Sequence, residues 1–160
     1  MGQEAVFYFD VLGFRHMAGG TADAAIDALS DLAEILRIPE IFSRTGEWSH
    51  RYALSDSVFL TRQDPVEALR HASELVFNLV QLNAATEEPT LVRGALAFGE
   101  VRHLKGIFLA TDEPANVVGP AVVEAVTLTE AAGLKGPRIF LSDGLATTIA
   151  VFLHEIPQEI

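Results

Sequence analysis

The sequence predicts an α+β fold in which one β-sheet has helices packed against it. A short apolar run opens the chain, and two amphipathic segments with helical spacing follow it. Between these two segments lie two adjacent runs that are typical of a β-hairpin. A hairpin placed between two helices, next to a central sheet, indicates an α+β sandwich.

The predicted elements follow one another in the order β-α-β-β-α-β-(β)-α-β-α. The first strand is "AVFYFDVLGF", and the helix after it has apolar residues at helical spacing. The second helix begins with Asp64 as its N-cap and Pro65 in the first helical position. The predicted ranges are a strand at 5–14, a helix at 21–38, two strands within 47–62, a helix at 64–82, a strand at 89–101 with a partner at 106–110, a helix at 119–134, a strand at 137–142 and a helix at 144–156.

This order matches a ferredoxin-like βαββαβ arrangement, in which the first strand is central and the hairpin lies beside it. The chain has 160 residues, which suits a single domain, 1–160, with one core. Such an architecture hosts many functions and decides none of them.

Composition excludes several classes of function. The chain has no cysteine, so disulfides, thiolate zinc sites and a cysteine nucleophile are excluded. Its net charge of −11 argues against nonspecific binding to nucleic acid. No apolar run approaches the roughly 18 residues that span a bilayer, and no signal peptide is recognisable. We therefore expect a cytoplasmic protein that binds neither nucleic acid nor a membrane.

Two aspartates stand where predicted strands end in turns. Asp10 interrupts an otherwise apolar strand, and Asp56 lies in the hairpin turn. An unpaired carboxylate in an apolar core costs several kcal/mol, so either other groups cap Asp10 or it binds a cation. The two carboxylates could meet around Mg²⁺ or Mn²⁺, yet both could equally be ordinary turn aspartates that accept hydrogen bonds from nearby amides.

Five segments resemble, in order and spacing, the catalytic domain of class III nucleotide cyclases. That family has a D-(I/V)-x-G-F first strand, a G-D hairpin, an R-(V/G)-G-I-x-x-G strand, a helix after a glycine and an I-x-(V/L)-S last strand. The forms in this chain look closest to the pyrimidine (uridylate or cytidylate) cyclases of Pycsar antiphage systems. The matching segments are "FDVLGFRHM", "YALSDSVFL", "VRGALAFGEV", "NVVGPAVVEAVTLTEAA" and "PRIFLSD".

The resemblance assigns metal binding to Asp10, Asp56 and the Val11 carbonyl. It implies that the backbone amides around Gly13 and Phe14 approach the triphosphate. The expected cofactor is a pair of Mn²⁺ or Mg²⁺ ions, which would activate a hydroxyl and stabilise a leaving phosphate.

The resemblance places Tyr52 and Asn116 at the two positions that contact the base. Tyr52 stands where relatives have an adenine-selecting lysine or a guanine-selecting glutamate, and its ring leaves room for a small base. An Asn116 amide can offer both a donor and an acceptor to a pyrimidine edge. The alternative for Tyr52 is an ordinary strand aromatic, and for Asn116 a loop asparagine beside a proline.

The chain also departs from the family pattern. Purine cyclases have an asparagine and, four residues later, an arginine on the helix where this sequence has Val123 and Thr127. A phosphate-binding arginine of the family falls at Glu100. Other cations must then offset the phosphate charge, and the candidates are Arg93, Arg102 and Lys105. The last two could also be surface cations, and Arg93 could instead be a structural ion-pair partner.

These features together predict a phosphorus–oxygen lyase that converts UTP, or else CTP, into the cyclic 3′,5′-monophosphate and pyrophosphate. The catalytic residues would be Asp10, Asp56 and Arg93, and the substrate would also contact Arg102. In relatives the site forms across a homodimer, and the resemblance implies an effector that reads the cyclic product in antiphage defence. The alternatives are a purine cyclase, or a degenerate module that binds nucleotide without turnover.

Overall fold

The computed structural model describes residues 2–14, 48–84, 89–105, 114–131 and 136–155, with scattered residues between 19 and 33. Those scattered residues, which are helical, are 19, 20, 22, 23, 25–27, 29, 30 and 33. The strands are β1 (Gly2–Val11), β2 (His50–Leu54), β3 (Ser57–Arg62), β4 (Val92–Lys105), β5 (Pro114–Val118) and β6 (Arg138–Leu141). The helices are α1 (Pro65–Asn83), α2 (Pro120–Glu130) and α3 (Asp143–Glu155).

The strands form one mixed sheet in the order β2-β3-β1-β4-β5, and β6 also pairs with β4. Strand β1 is central and antiparallel to both of its neighbours, β3 and β4. The long strand β4 pairs with β6 in parallel near its start and with β5 in antiparallel fashion near its end. The predicted α+β class and its ferredoxin-like strand order are therefore confirmed.

The two faces of β1 belong to two separate apolar clusters. Phe7 and Phe9 are fully buried on one face, where they pack with Leu75 of α1. Val6 and Tyr8 point to the opposite face, where they pack with Ala125 of α2. Burying one such large apolar side chain contributes about 1.5–3 kcal/mol. Because strand side chains alternate, Asp10 lies on the same face as Val6 and Tyr8.

Side chains cap the starts of two helices, and the first of these caps is the one that the sequence predicts. The Asp64 carboxylate accepts hydrogen bonds from the Val66 and Glu67 amides at 2.9 and 3.1 Å, so it is the N-cap of α1. Ser142 plays the same part for α3, where its Oγ accepts from the Leu145 amide at 3.1 Å. None of the helices in the described part of the chain is both long and apolar enough to cross a membrane.

Several predicted boundaries differ from the structure or lie outside it. Strand β1 begins and ends three residues earlier than the predicted strand at 5–14, and β4 spans 92–105 instead of 89–101. Helix α2 ends at Glu130 instead of 134, because Ala131 has the extended backbone angles φ −48° and ψ 123°. Strand β5 replaces the loop that we expected around Asn116, since β4 continues to Lys105 and offers it an edge. The predicted partner strand at 106–110 lies outside the described residues, as do parts of the helix at 21–38.

Candidate functional site

The structure brings Asp10 and Asp56 to the same end of the sheet. Asp10 is paired with Ser57, and the Val11 amide donates a hydrogen bond to the Asp56 carbonyl at 3.1 Å. Ser55 adopts a left-handed φ of 57°, which closes the two-residue turn that holds Asp56.

Burial raises the pKa of the Tyr8 hydroxyl, a hydrogen bond with Ser57 lowers it, and the charges of Asp10 and Asp56 raise it further. The charges of both carboxylates therefore act on the Tyr8 hydroxyl.

Arg93 of β4 forms a bidentate ion pair with Asp10. Its Nε donates to Asp10 Oδ1 at 2.9 Å, and its Nη2 donates to Oδ2 at 2.9 Å. The two residues are directly opposite each other in the β1–β4 register. The hydrogen bond to Asp10 raises the pKa of the Arg93 guanidinium, and burial partly opposes this shift. The sequence left open whether other groups cap the Asp10 carboxylate or whether it binds a cation. The structure shows that Arg93 caps it.

This arrangement still suits a divalent cation. The Asp10 side chain is 14% exposed and Arg93 is 36% exposed, so the pair lies at an accessible edge. Each carboxylate oxygen has two lone pairs. Arg93 makes one contact with Oδ1, at 2.9 Å, and two with Oδ2, at 2.9 and 3.2 Å, so Oδ1 keeps a lone pair for a metal. Oxygen donors from Asp10, Asp56 and the Val11 carbonyl are the kind that Mg²⁺ and Mn²⁺ prefer. The donor set therefore fits the metal that the resemblance implies.

The turn after β1 is built around Gly13. This glycine has a φ of +78°, a left-handed conformation that costs other residues strain. The Leu12 amide donates to the Leu91 carbonyl at 2.8 Å, so it is already engaged. The Phe14 side chain packs against the apolar cluster on the α1 face. Any phosphate contact from this turn would therefore use the backbone amides of residues after Leu12. The predicted contact between this turn and the triphosphate stays a prediction.

Tyr52 is buried, and its hydroxyl already has a partner. The hydroxyl is 2.7 Å from His103 Nδ1. Burial, with a smaller effect from the Glu4 charge, raises the pKa of Tyr52 to about 12. The ring packs in the apolar cluster with Val117 of β5.

The other base candidate, Asn116, is exposed on β5. Its Oδ1 accepts a hydrogen bond from the Val117 amide at 2.8 Å. Val117 faces the cluster that contains Tyr52, so alternation along the strand directs Asn116 away from that cluster. Base contact by Tyr52 and Asn116 stays a prediction.

The remaining cations and the departures from the family pattern lie at the surface. Arg102 is exposed and donates to Glu100 at 3.2 Å, while Lys105, at the end of β4, is exposed as well. Val123 is 65% exposed, and Thr127, one turn further along α2, is also exposed. This face of α2 therefore presents neither of the two purine-cyclase side chains.

A second polar cluster, which no sequence spacing indicates, lies further back on β1. It consists of Glu4, His50 and His103, from three different strands. His103 Nε2 is 3.0 Å from Glu4 Oε1, and the His50 and His103 rings stack with centroids 3.9 Å apart. The five histidines of the chain have no ligand spacing in sequence. Only the strand register could have revealed this cluster.

An apolar groove of about 740 Å³ lies between α1 and strands β4 and β6. Residues such as Leu69, Phe77 and Ile139 line it, on the face of the sheet opposite Asp10. Among the described residues that line it, Arg138 is the one with a charged side chain. The groove is therefore a poor place for a triphosphate.

The similarity of this chain to known proteins lies in its fold. No protein-family model and no curated protein matches the sequence. Among solved structures, the catalytic core of a rhodopsin-guanylyl cyclase with converted specificity, in complex with ATPαS, is similar with a TM-score of 0.67 and 20% identity. The alignment covers 92% of this chain and 81% of that one.

Two further structures extend this similarity. The non-canonical dimeric guanylyl cyclase domain of the RhoGC fusion protein from Blastocladiella emersonii has a TM-score of 0.65 and 19% identity, over 94% of this chain and 84% of that one. Monomeric adenylate cyclases from Trypanosoma brucei have a TM-score of 0.65 and 14% identity, over 92% and 75%. The chain therefore has the fold of class III guanylyl and adenylyl cyclase catalytic domains.

Proposed function

We propose that this chain is a nucleotide cyclase domain that acts on a pyrimidine nucleoside triphosphate, UTP ahead of CTP. The observation that carries the proposal is the placement of Asp10 and Asp56 at one end of a cyclase-type sheet. Structural relatives named as guanylyl or adenylate cyclases support the cyclase activity. Their names refer to purine nucleotides, so the pyrimidine preference rests on the residues of this chain.

The carboxylates would bind two metal ions together with the triphosphate. Asp10, Asp56 and the Val11 carbonyl supply the oxygen ligands. Bound Mn²⁺ or Mg²⁺ supplies charge that favours ionisation of the ribose 3′-hydroxyl and departure of pyrophosphate. The new bond would join the 3′-oxygen to the α-phosphorus, the bond from that phosphorus to the bridging oxygen of the β-phosphate would break, and the hydroxyl proton would pass to water.

Arg93 would change partners when the nucleotide binds. In the free protein its guanidinium is held by Asp10 at 2.9 Å. A triphosphate that arrives with its metals would compete for the guanidinium, because arginine binds phosphate oxygens in the same bidentate way. Arg93 would then offset charge on the phosphates, the task that Glu100, Val123 and Thr127 cannot perform.

The pyrimidine preference rests on Tyr52. Its ring occupies the position of a long, flexible side chain in purine cyclases and is packed against Val117. A rigid ring in that position reduces the space for a base, and a pyrimidine needs less of it. Asn116 is exposed and could contact the base of a nucleotide held partly by a second subunit. The cyclic product would then be read by a downstream effector.

The direct test is turnover of four nucleoside triphosphates with Mn²⁺. We expect the cyclic monophosphate and pyrophosphate from UTP, less from CTP, and little from ATP or GTP. Cyclisation of a purine alone would refute the pocket argument while leaving the cyclase activity standing. Absence of product from all four would favour the degenerate module, which the residues at Val123 and Thr127 already suggest.

Asp56→Ala is the matched control for the metal site. Asp56 lies in a turn, so its removal should leave the fold intact. We expect product formation to fall by at least about a hundredfold, as when a main source of transition-state stabilisation is lost. Unchanged turnover in a folded Asp56→Ala protein would remove the metal hypothesis.

A further inference from the structure

Glu4, His50 and His103 bring three candidate ligand atoms close together. The candidate atoms, one from each residue, all lie within 4.8 Å of one another. His50 and Val6 are both paired with Thr61, so β2 and β1 are held on either side of β3. Glu4 lies two residues before Val6 on the same face of β1. His103 joins them from the second half of β4, where that strand pairs with β5.

The carboxylate of this cluster has an unsatisfied oxygen. The Glu4 side chain is only 9% exposed, and its Oε2 is buried with no hydrogen-bond partner among the described residues. Leaving a buried polar atom unpaired is costly, and a charged one more so. The contact with His103 satisfies Oε1 alone. A cation between Glu4 and the two imidazoles would satisfy the remaining oxygen.

The neighbours of the two histidines suit metal binding. A metal-bound imidazole usually donates its other N–H to an oxygen, which fixes its orientation. Tyr52 Oη, 2.7 Å from His103 Nδ1, can accept that hydrogen and leave Nε2 for a metal. Thr61 Oγ1 lies 3.5 Å from His50 Nδ1 and can act in the same way.

We propose that Glu4, His50 and His103 form a binding site for a divalent transition metal, with Zn²⁺ as the ion of choice. Two imidazoles and one carboxylate favour Zn²⁺ and similar ions over Mg²⁺ or Ca²⁺. Binding requires His50 to rotate out of its stack on His103. The site lies six residues from Asp10 along β1, roughly 20 Å away, so it is separate from the proposed catalytic metals. It does not depend on the cyclase proposal.

The test is a calorimetric titration of metal-free protein with Zn²⁺ alone, without nucleotide. We expect one Zn²⁺ per chain, and Co²⁺ in its place should give the visible absorption of a low-symmetry site with nitrogen ligands. Glu4→Gln and His50→Gln should each weaken Zn²⁺ binding by at least about tenfold, since each removes a ligand. Tyr52→Phe should weaken it by about tenfold, as loss of an outer hydrogen-bond partner does.

Asp10→Asn with Asp56→Asn is the matched control. This double variant removes the other acidic site and should retain Zn²⁺ binding at wild-type strength. The ligand variants are compared only after circular dichroism shows a native spectrum, and His50→Gln is the safest because His50 is half-buried. The proposal is overturned by an absence of Zn²⁺ binding, by binding that survives both Glu4→Gln and His50→Gln, or by its loss in the Asp10/Asp56 variant.

Discussion

At the scale of single residues, the pairing of Asp10 with Arg93 sets the chemistry of the proposed catalytic site. The guanidinium lies within 3 Å of both carboxylate oxygens that a metal would use. In the proposed mechanism, a dication that approaches Asp10 would therefore be repelled by Arg93 until phosphate drew the arginine away. The pair would keep the free protein weak in metal binding and couple metal binding to substrate.

This coupling predicts opposite effects of one substitution. In Arg93→Ala, Mn²⁺ binding to the nucleotide-free protein should become several-fold stronger, because the competing cation is gone. Turnover should fall by about 10²–10³-fold, because a donor that offsets phosphate charge is lost. Electron paramagnetic resonance of free Mn²⁺ measures the first effect, and cyclic nucleotide production measures the second.

Arg70→Ala is the matched control for this prediction. Arg70 is an exposed arginine of α1, paired with Glu67 at 2.7 Å, and it lies on the other side of the sheet. Neither Mn²⁺ binding nor turnover should change. Weaker Mn²⁺ binding in Arg93→Ala would mean that the arginine supports the metal site, contrary to the coupling argued above.

The tyrosines predict a specific loss of stability at high pH. Burial raises the pKa of Tyr8 from 10.0 and that of Tyr52 to about 12. Above pH 10.0 the unfolded chain loses phenol protons that the folded chain retains, so ionisation lowers the free energy of the unfolded state relative to the folded state. Stability should therefore fall by up to about 1.4 kcal/mol per pH unit for each tyrosine, and it should be unaffected by them below that pH.

Near-ultraviolet absorbance of phenolate checks this directly, because the chain has only 2 tyrosines. The native protein should show little phenolate at a pH where the denatured protein is half ionised. Tyr52→Phe should remove part of the pH dependence of urea unfolding. Ionisation of both tyrosines near pH 10 in native protein would contradict their burial.

At the scale of elements, the junction between β5 and α2 depends on one glycine. Gly119 has a φ of +143°, and a Cβ at this position would lie 2.3 Å from the Glu100 carbonyl oxygen. Gly119→Ala should therefore lower the free energy of unfolding by at least about 1–3 kcal/mol, from strain and the backbone clash together. Urea denaturation measures the change.

Gly99→Ala gives the comparison for that prediction. Its new methyl group would meet the Ala121 Cβ at 3.6 Å, an ordinary contact, in a strand without unusual backbone angles. We expect a change smaller than about 1 kcal/mol. Equal losses in the two variants would show that the conformation of Gly119 is not the cause.

Local signals explain which elements the sequence could predict. Helix α1 begins where the pair Asp64–Pro65 predicts, because a cap and a proline act on their own neighbours. The position of Asp56 beside Asp10 also follows from the sequence, since a short hairpin turn leaves few alternatives. Strand β5 was missed because its edge exists only after β4 extends to Lys105.

The pairings of Arg93 with Asp10 and of His103 with Glu4 could not be predicted with the same security. These residues are 83 and 99 positions apart in the chain. Their contact depends on the register between β1 and β4 and on where the second half of β4 lies. Neither the β1–β4 register nor the path of the second half of β4 can be deduced from the spacing of residues in the sequence. A carboxylate at position 10 of an apolar strand indicated that Asp10 needs a partner, but it did not indicate which residue that partner is.

At the scale of the whole molecule, the negative net charge means that binding an anionic substrate needs additional positive charge at the site. The net charge of the protein is −11, and a nucleoside triphosphate is also strongly negative, so the two repel each other. Metal ions are the strongest local charges available to reverse the field at such a site. A second subunit is the other source of cations, and surface residues such as Arg102 and Lys105 could serve a partner's site. Substrate binding should therefore depend on both metal and dimer.

Dimer dependence predicts recovery of activity when two inactive variants are mixed. If Asp56 acts from one subunit and Tyr52 from the other, Asp56→Ala and Tyr52→Leu should each lower UTP turnover strongly when assayed alone, the first by loss of a metal ligand and the second because the base is no longer positioned. A mixed dimer then has one intact site and one doubly defective site, because a two-fold interface contains two equivalent sites. With random exchange half of the dimers are mixed, so activity should recover to roughly a quarter of the wild-type value.

The measurement is cyclic nucleotide production after the two variants are incubated together near the dimer dissociation constant. Specific activity of the wild type should also rise with protein concentration in that range. Two Asp56→Ala preparations mixed with each other are the control and should stay inactive. Failure to recover activity in mixtures of two folded, dimerising variants would place Asp56 and Tyr52 in the same site of one subunit.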